Sequence, residues 1–348
     1  MMVRRLGGAR RTHAAVVFNP RSAGLSLLRS IVADQERRLG WGRSRWYQTD
    51  AEDSGRRAAE AAVSGDPDVV IVVGGDGTAR AVVEVVYAER IPIALVPTGT
   101  GNLLARNLGI PLKDPEACVA AAFFGSSRAI DVGVAEIERA DGHRSEHLFL
   151  VMAGIGLDAE MAERTSALAK RRLGWLAYVI PIARSVIVNR LFRLDYRVDR
   201  GRVRSTLAHT VIVGNCGTLT GNLLLMPDAV VDDGMLDVVM MRPKGRFGWA
   251  RIGTRLTAQG LSRRSPVSRR IFGFRPRTRG RAPDLPALVY AQGRTFEARF
   301  DVPQRIELDG DDFGEAVRAR VTTHPGGLQI LIPGSGGLTP YCDAPTGG

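Results

Sequence analysis

The apolar residues in the first third of the chain alternate between short continuous runs and sets spaced like one face of a helix. The runs at 14–18, 69–73 and 93–96 have the length of strands buried on both faces. A further strand is predicted at 44–49, and helices are predicted at 27–39, 54–64, 114–124 and from about residue 103. Because strands and helices alternate, the pattern predicts a parallel, doubly wound sheet.

Beyond residue 127 the pattern changes to short, often alternating apolar runs separated by turn residues. These runs lie at 129–138, 147–153, 193–198, 208–214, 236–241, 295–302 and 305–308. A helical insertion is predicted at about 158–189, and the glycine-rich end of the chain, 334–348, is predicted to be disordered. The second half is therefore predicted to be mostly antiparallel β, within a chain of the α/β class.

Two of the predicted strands end in glycine-rich loops. The run at 69–73 passes into Gly74-Gly75-Asp76-Gly77-Thr78, and the run at 93–96 passes into Pro97-Thr98-Gly99-Thr100-Gly101-Asn102. Glycines let backbone N–H groups approach an anion, and the dipole of a following helix attracts negative charge. Two such loops at one sheet edge predict a site for a nucleotide triphosphate. Neither loop is a P-loop or a GxGxxG fingerprint, so backbone amides, a metal ion and arginines would have to meet the phosphate charge.

Composition adds a preference for anionic partners. The 348 residues carry a formal net charge of +12, although the hydrophobic content of 45% and the charged content of 24% are ordinary for a globular protein. An arginine-rich composition that reflects genome bias is the alternative explanation. The three cysteines lie far apart without CxxC spacing, which argues for a reducing compartment and against a zinc site or a disulfide framework. No segment has the pattern of a signal peptide or a transmembrane helix, so a cytoplasmic location is predicted.

Two basic segments are candidates for contact with lipid. The segment 170–190 has basic ends around an apolar middle, and it either packs in the core or lines a path for lipid. The arginine-rich region 263–281 is either a solvated loop or a surface that meets anionic membrane, at roughly 1 kcal/mol per basic residue. No nucleic-acid-binding motif accompanies this region, so nucleic acid is not an expected partner.

Taken together, the motifs resemble the diacylglycerol kinase catalytic-domain family, which includes bacterial lipid kinases, sphingosine kinases and ceramide kinases. The resemblance runs from about residue 14 to residue 333. Besides the two glycine loops, it rests on Asn19-Pro20, the sequence LGWLAY at 173–178, Pro227-Asp228-Ala229, Asp233-Gly234-Met235-Leu236-Asp237 and Leu308-Asp309-Gly310-Asp311. GGDGT alone also occurs in NAD kinases, whereas the ordered set with GTGN and a late Asp-Gly is far more specific.

The resemblance implies two domains with the active site in the cleft between them. A nucleotide-binding NAD kinase/diacylglycerol kinase-like α/β domain at 14–127, with a C-terminal return segment at about 315–333, would adjoin a β-sandwich lipid-substrate domain at 128–314. ATP would lie against Asn19, Thr49, Gly74, Gly75, Asp76, Gly77, Thr78, Thr100 and Asn102. Asp309 would be the general base, with Asp311 as its partner. A structural Mg²⁺ would be held by Asp233 and the backbone carbonyls of Val230 and Met235.

Three of these aspartates also have plainer interpretations. Asp309 and Asp233 each precede a glycine, as hairpin residues do, and Asp76 precedes a helix that it could cap. The chain also departs from the family pattern at two positions. Asp311 stands where the family often has glutamate, and Leu103 stands where it often has an acidic residue, which leaves open how Asp311 and the second loop contribute.

The sequence therefore predicts an ATP- and Mg²⁺-dependent lipid kinase that converts diacylglycerol to phosphatidic acid at the membrane surface. Its expected partners are the lipid, ATP and anionic membrane, and a homodimer is considered as well. The alternatives are a kinase for another lipid alcohol such as a sphingoid base, an NAD kinase, and a catalytically silent regulator that binds lipid or nucleotide. NAD is disfavoured because GTGN replaces the asparagine-glutamate pair with which that family holds its substrate.

Overall fold

A computed structural model describes residues 12–50, 52–156, 191–219, 224–242 and 287–334 of the chain. Three sequence features lie outside these ranges: the helical insertion predicted at 158–189, the basic region at 263–281, and nearly all of the tail predicted at 334–348. Among the described residues, no helix is long and apolar enough to cross a membrane.

The N-terminal part of the chain alternates strands and helices, as predicted. Its elements are β1 (Ala14–Phe18), α1 (Leu25–Leu39), β2 (Arg45–Gln48), α2 (Arg56–Ser64), β3 (Val69–Gly74), α3 (Asp76–Glu89), β4 (Ile93–Pro97), α4 (Leu103–Asn107) and α5 (Pro115–Phe124). The four strands are parallel in the order β4-β3-β1-β2. Helix α1 packs against α5, and α2 packs against α3. The predicted parallel α/β sheet is confirmed.

The remaining strands form a mostly antiparallel β-sandwich domain. They are β5 (Ser126–Glu138), β6 (Arg144–Phe149), β7 (Met152–Ile155), β8 (Phe192–Val198), β9 (Arg204–Ala208), β10 (Thr210–Gly214), β11 (Leu236–Met241), β12 (Leu288–Gly293), β13 (Thr295–Leu308) and β14 (Asp311–Ile332). The order β12-β11-β10-β7-β13-β14 continues into β4 of the parallel sheet, while β5 pairs with β14 and β6, and β8 pairs with β13 and β9. The predicted β-rich second half is confirmed.

Strand β14 joins the two halves of the molecule. Along its length it pairs antiparallel with β13 and β5, and near its end Ile330 and Leu331 pair in parallel with Ile93 and Ala94 of β4. Strand β5 begins at Ser126, so residues 126–127, which have the composition of a linker, are already part of the sheet. The two domains therefore share a continuous sheet, and this fixes the cleft between them.

Two predicted strands differ in detail. The run at 147–153 is two strands, β6 and β7, because the backbone N–H groups of Leu150 and Val151 turn away to bond a side chain of the cleft. The runs at 295–302 and 305–308 form one strand, β13, whose register with β14 shifts between Arg299 and Gln304.

Two clusters of buried apolar side chains stabilise this arrangement. One surrounds the parallel sheet, where all six residues of β3 are buried, and the other lies among the antiparallel strands around Phe149 and Phe296. Full burial of each such side chain is worth about 1.5–3 kcal/mol. The packed strands therefore fix the positions at which the loops after β1 to β4 begin.

Candidate active site

The loops after β1, β2, β3 and β4 meet at one edge of the parallel sheet. The N–H of Asn19 donates to the carbonyl of Val73 at 2.9 Å, and the N–H of Thr49 donates to the carbonyl of Phe18 at 2.9 Å. Across the edge, the hydroxyls of Ser22 and Thr98 lie 2.7 Å apart. Residues predicted from four separate segments are thus neighbours, because parallel strands present their carboxyl ends together.

The two glycine loops pack directly on each other. A Cβ placed on Gly99 would lie 2.6 Å from the Cα of Gly75, so neither position leaves room for a larger residue without a shift of backbone. The first loop also closes on its own helix, since a Cβ on Gly74 would lie 2.7 Å from the Cβ of Thr78. These glycines are needed for close approach, which also leaves backbone groups accessible to a ligand.

Asp76 ties the first loop to the second. Its Oδ2 accepts from the N–H of Leu103 at 2.9 Å, and its Oδ1 accepts from the N–H of Leu104 at 3.1 Å. Asp76 therefore caps α4, not the helix α3 that it begins. Burial raises the pKa of its carboxyl, while these hydrogen bonds and the charge of Arg106 act in the opposite direction.

Asn102 closes the second loop with an unusual conformation. Its φ is 47°, in the left-handed region, and its Nδ2 donates to the carbonyl of Gly99 at 2.6 Å. The Oδ1 of Asn102 is buried and has no hydrogen-bond partner among the described residues. A buried acceptor without a hydrogen-bond partner is costly, so this oxygen is suited to a ligand that supplies a hydrogen-bond donor.

The other residues predicted near the nucleotide differ in exposure. Thr49 and Thr78 are buried and flank Gly55, whose Cβ would approach the Cγ2 atoms of both threonines. Asn19 is half-buried, and Thr100 is exposed. Of this group, Thr49 and Thr78 are enclosed by the surrounding residues, whereas Thr100 faces solvent.

Asp309 lies in the cleft and is held by the backbone between β6 and β7. Its Oδ1 accepts from the N–H groups of Val151 and Met152 at 2.8 and 3.0 Å, and its Oδ2 accepts from the N–H of Leu150 at 2.8 Å. The N–H of Asp309 in turn donates to the carbonyl of Met152. With φ at 50°, Asp309 occupies the turn after β13, and its carboxylate reaches the backbone at the start of the neighbouring strand β7.

The carboxyl of Asp309 has a strongly shifted pKa. Burial raises it from the ordinary 3.8 to about 7, despite the three backbone hydrogen bonds, and the charge of Asp76 acts in the same direction. The buried thiol of Cys216 responds to both carboxylates, since burial and the charges of Asp309 and Asp76 hold its pKa well above the usual value. Asp76 of the first domain and Asp309 of the second are therefore electrostatic neighbours.

Asp311 reaches across to the first glycine loop. A Cβ on Gly77 would lie 3.2 Å from Oδ2 and 3.4 Å from Oδ1 of Asp311, so the carboxylate rests on the bare backbone at the start of α3. The same Oδ2 accepts from Nη2 of Arg80 at 2.7 Å. The Asp-Gly-Asp turn thus brings one carboxylate, Asp309, to the cleft and the other, Asp311, to the first glycine loop.

The three residues predicted to hold a structural metal lie in the turn that precedes β11. Val230 and Asp233 are exposed and Met235 is half-buried, and Oδ1 of Asp233 accepts from the N–H of Met235 at 3.0 Å. Burial raises the pKa of the Asp233 carboxyl, and the charges of Asp131 and Asp232 raise it further. Within the described ranges, no group of three or more His, Cys, Asp or Glu side chains forms a metal cluster.

Sequence reasoning missed Asp131, which organises the surroundings of Asp233. Asp131 is 2% exposed, and its two carboxylate oxygens accept from the N–H groups of Gly234 and Gly326 at 2.6 and 2.8 Å. Its signal was present, because an aspartate inside the apolar run of β5 has to be paired when it is buried.

Sequence reasoning also missed Asn107, which fastens the second loop to the β domain. Its Nδ2 donates to the carbonyl of Thr218 at 3.0 Å, and its Oδ1 accepts from the N–H of Thr218 at 3.2 Å. This reciprocal pair is a fixed contact between the domains next to α4.

Two family models match the sequence. Residues 13–135 match the Diacylglycerol kinase catalytic domain, and residues 151–265 match the YegS C-terminal NAD kinase beta sandwich-like domain. These two matches fall on the parallel and the antiparallel parts of the fold.

Similar proteins agree with these matches. A Stenotrophomonas maltophilia protein named "Probable lipid kinase YegS-like" is 30% identical over 336 residues, which cover 91% of this chain and 95% of that protein. A Mycobacterium tuberculosis "Diacylglycerol kinase" is 30% identical over 199 residues, and this match spans 57% of the chain and 62% of that relative's length. The crystal structure of a diacylglycerol kinase from Bacillus anthracis, 19% identical, superposes with a TM-score of 0.66 over 92% of this chain and 97% of that one, which shows a shared fold. The chain therefore belongs to the diacylglycerol kinase catalytic-domain family and carries a YegS-type C-terminal domain.

Proposed function

We propose that the protein is an ATP- and Mg²⁺-dependent lipid kinase that phosphorylates diacylglycerol to phosphatidic acid. The observation that carries the proposal is the position of Asp309, which three backbone N–H groups hold in the cleft as an electrostatic neighbour of Asp76. Phosphoryl transfer needs a held triphosphate, a cation on its oxygens and a base for the attacking hydroxyl. The cleft offers residues for each of these tasks.

The glycine loops are suited to hold the triphosphate. Strand β3 ends at Gly74 and the 14-residue helix α3 begins at Asp76, so N–H groups and the positive end of a helix dipole lie at the sheet edge. The contact of Gly75 with Gly99 keeps side chains away from this edge. The buried Oδ1 of Asn102 would accept from a donor such as a ribose hydroxyl or a water of the hydrated metal.

The carboxylates of the cleft fit a bound cation. When it is bound, Mg²⁺ neutralises phosphate charge and favours transfer of the terminal phosphoryl group. The charge of Asp76 helps to raise the pKa of the Asp309 carboxyl, so a cation on the phosphates would relieve the repulsion between the two carboxylates. Asp233, with the carbonyls of Val230 and Met235, would hold a separate structural magnesium, since Asp131 and Asp232 raise the pKa of its carboxyl and a cation would offset this repulsion, although Arg128 already pairs with Asp232.

Asp309 would act as the general base. A pKa of about 7 keeps the carboxylate partly ionised at neutral pH and makes it a better proton acceptor than an ordinary aspartate. The hydroxyl proton of the lipid would pass to Asp309 as its oxygen bonds to the γ-phosphorus and ADP leaves. Asp311, which rests on Gly77, would assist at the phosphate loop.

The choice of a lipid rests on the relatives and on charge. The Mycobacterium tuberculosis relative is named a diacylglycerol kinase, and the Stenotrophomonas maltophilia relative is named a lipid kinase. A net charge of +12 would draw the protein to anionic bilayers, where such a substrate lies. We accordingly propose a cytoplasmic protein that associates with the membrane surface.

A panel of lipid alcohols tests the proposal. Vesicles that contain diacylglycerol, a sphingoid base, ceramide or monoacylglycerol are incubated with the protein, Mg²⁺ and γ-labelled ATP, and the lipids are separated by thin-layer chromatography. Labelled phosphatidic acid is the expected product. Label in another lipid would support the kinase and change its substrate, whereas nucleotide binding without any labelled lipid would indicate a catalytically silent regulator.

A further inference from the structure

Arg80 is a charged residue inside an apolar helix face. It follows Ala79 in α3 and is only 6% exposed, and the residues around it in the helix, Val82 and Val83, belong to the core. A buried guanidinium has to be paired, because its desolvation is otherwise costly. The groups that pair it come from both domains.

Three groups surround the Arg80 side chain. Nη2 donates to Oδ2 of Asp311 at 2.7 Å, and Nη1 donates to Oε1 of Glu84, one turn further along α3, at 3.1 Å. The guanidinium carbon also lies 4.9 Å from the ring centre of Phe313, two residues beyond Asp311. Arg80, in the helix that follows the first glycine loop, therefore binds the hairpin that carries Asp309 and Asp311.

The contact with Arg80 fixes where the Asp311 carboxylate lies. Gly77 and Arg80 are three residues apart in α3 and so lie on one helix face. The carboxylate that Arg80 binds is the one that rests on Gly77. Within the described residues, Arg80 supplies the hydrogen-bond donor and the ion pair of that carboxylate. Without Arg80, nothing else described would keep this partly exposed carboxylate over the loop.

Glu84 extends the contact to a second strand of the β domain. Burial opposes its ionisation, but the ring of His147, whose Nδ1 lies 3.7 Å from Oε1, and the charge of Arg80 hold its pKa below the usual value. The ring of His147 also packs against Phe313, with centres 4.5 Å apart. Arg80 is therefore held by a contact within α3, through Glu84, and by contacts with the β domain, through Asp311 and Phe313.

We propose that Arg80 is a positioning residue for phosphoryl transfer: it holds the Asp311 carboxylate against Gly77 at the phosphate loop. The proposal rests on the proposed lipid kinase function. It also accounts for the short side chain at position 311, because a long arginine from α3 reaches the aspartate and fixes it.

Steady-state kinetics of Arg80→Met, Asp311→Asn and the double variant test this role. If Arg80 acts through Asp311, each single variant lowers kcat by roughly 10- to 100-fold with a smaller change in the KM for ATP, and the double variant is no worse than the poorer single one. Arg80→Lys restores part of kcat. The matched control is Arg56→Met, which breaks an exposed Arg–Glu pair of the same i,i+4 spacing and leaves kcat unchanged. An unchanged kcat in Arg80→Met, or losses that multiply in the double variant, would overturn the proposal.

Two further measurements distinguish a failure of this proposal from a failure of the proposed kinase function and from misfolding of the variants. Arg80→Met leaves the half-buried Glu84 with His147 but without its arginine, so Arg80→Met/Glu84→Gln removes the carboxylate that has lost this partner, and kcat stays low in this variant if positioning is the cause. If the wild-type protein labels no lipid, the proposed function fails. Urea unfolding of the same set tests the pairing separately, since losses in the free energy of unfolding of Arg80→Met and Asp311→Asn that simply add would show that the two residues are not coupled.

Discussion

The carboxylate of Asp309 accepts a 2.8 Å hydrogen bond from the N–H of Val151, 158 positions earlier in the chain. Leu150 and Met152 donate to the same carboxylate, so the gap between β6 and β7 is shaped around one side chain. The location of the proposed base is therefore set by backbone that leads into β7, the neighbour of β13 in the sheet. The three backbone hydrogen bonds fix the position of the Asp309 carboxylate, and its burial raises its pKa.

Substitution of Asp309 by Asn should remove transfer at the loss of one backbone hydrogen bond, since the Nδ2 of asparagine cannot accept from the N–H of Leu150 as Oδ2 does. Asparagine tolerates the left-handed conformation at this position but accepts no proton from a hydroxyl. We expect kcat to fall by about 10²–10⁴, with ATP affinity by calorimetry within about threefold of wild type. The control is Asp199→Asn, since Asp199 also has a positive φ of 52° and accepts two backbone hydrogen bonds. Near-normal kcat in Asp309→Asn would rule out Asp309 as the base.

The rate should depend on pH near neutrality. Because the pKa of Asp309 is raised to about 7 in the free protein, kcat/KM should rise with pH through about 7 and level off above it. Initial rates from pH 5.5 to 9 at fixed ionic strength measure the profile. A flat profile between pH 6 and 8 would contradict the assignment.

The same pKa predicts an effect of opposite sign on stability. Folded Asp309 binds its proton more tightly than the unfolded chain does, so its contribution is complete below about pH 4 and is lost as the pH rises to about 7. The loss is at most about 4 kcal/mol in the free energy of unfolding. Urea unfolding at pH 5 and pH 8 should therefore show a larger decrease for the wild type than for Asp309→Asn. Equal decreases would mean that Asp309 titrates normally.

Asp76 should matter more for nucleotide binding than for stability. Asp76→Ala removes the acceptor for two N–H groups of α4 and should lower the free energy of unfolding by about 1–3 kcal/mol. Asp114→Ala is the matched control, because Asp114 caps α5 through the N–H of Ala117. Calorimetry should show a loss of ATP affinity in Asp76→Ala only. A similar loss in both variants would reduce Asp76 to a structural cap.

The close contact of the glycine loops predicts a strong effect of one methyl group. Gly99→Ala places a Cβ 2.6 Å from the Cα of Gly75, so the loops have to separate. We expect a loss of about 1–3 kcal/mol in stability, together with weaker ATP binding. Gly334→Ala, which meets no atom within 4 Å, is the control. Unchanged ATP affinity in Gly99→Ala would show that the loop contact is not part of a nucleotide site.

Local patterns were enough to predict the parallel half of the fold. The runs that became β1, β3 and β4 are buried on both faces, and helix spacing located α1 and α5 within about two residues. The break between β6 and β7 could not be predicted, because it depends on the distant Asp309. A return segment was expected at about 315–333, but it was not predicted to be the strand β14, whose pairing partners lie far away in sequence.

The candidate site was predictable where it is built from glycine. Both loops are recognisable in the sequence by their glycine content. Their contact through Gly75 and Gly99 follows because the strands that precede them are adjacent and parallel. The pairing of Arg80 with Asp311 spans 231 positions and has no sequence periodicity, so only the three-dimensional structure reveals it. The one local hint was an arginine on an apolar helix face with Glu84 four residues on.

Transfer of labelled phosphate from ATP to diacylglycerol in mixed vesicles tests the central claim most directly. The wild-type protein with Mg²⁺ should form labelled phosphatidic acid at a rate that depends on protein concentration, and Asp309→Asn, shown to bind ATP, should form none above background. If the wild-type protein forms no labelled lipid although it binds ATP, or if Asp309→Asn forms phosphatidic acid at the wild-type rate, the account is contradicted.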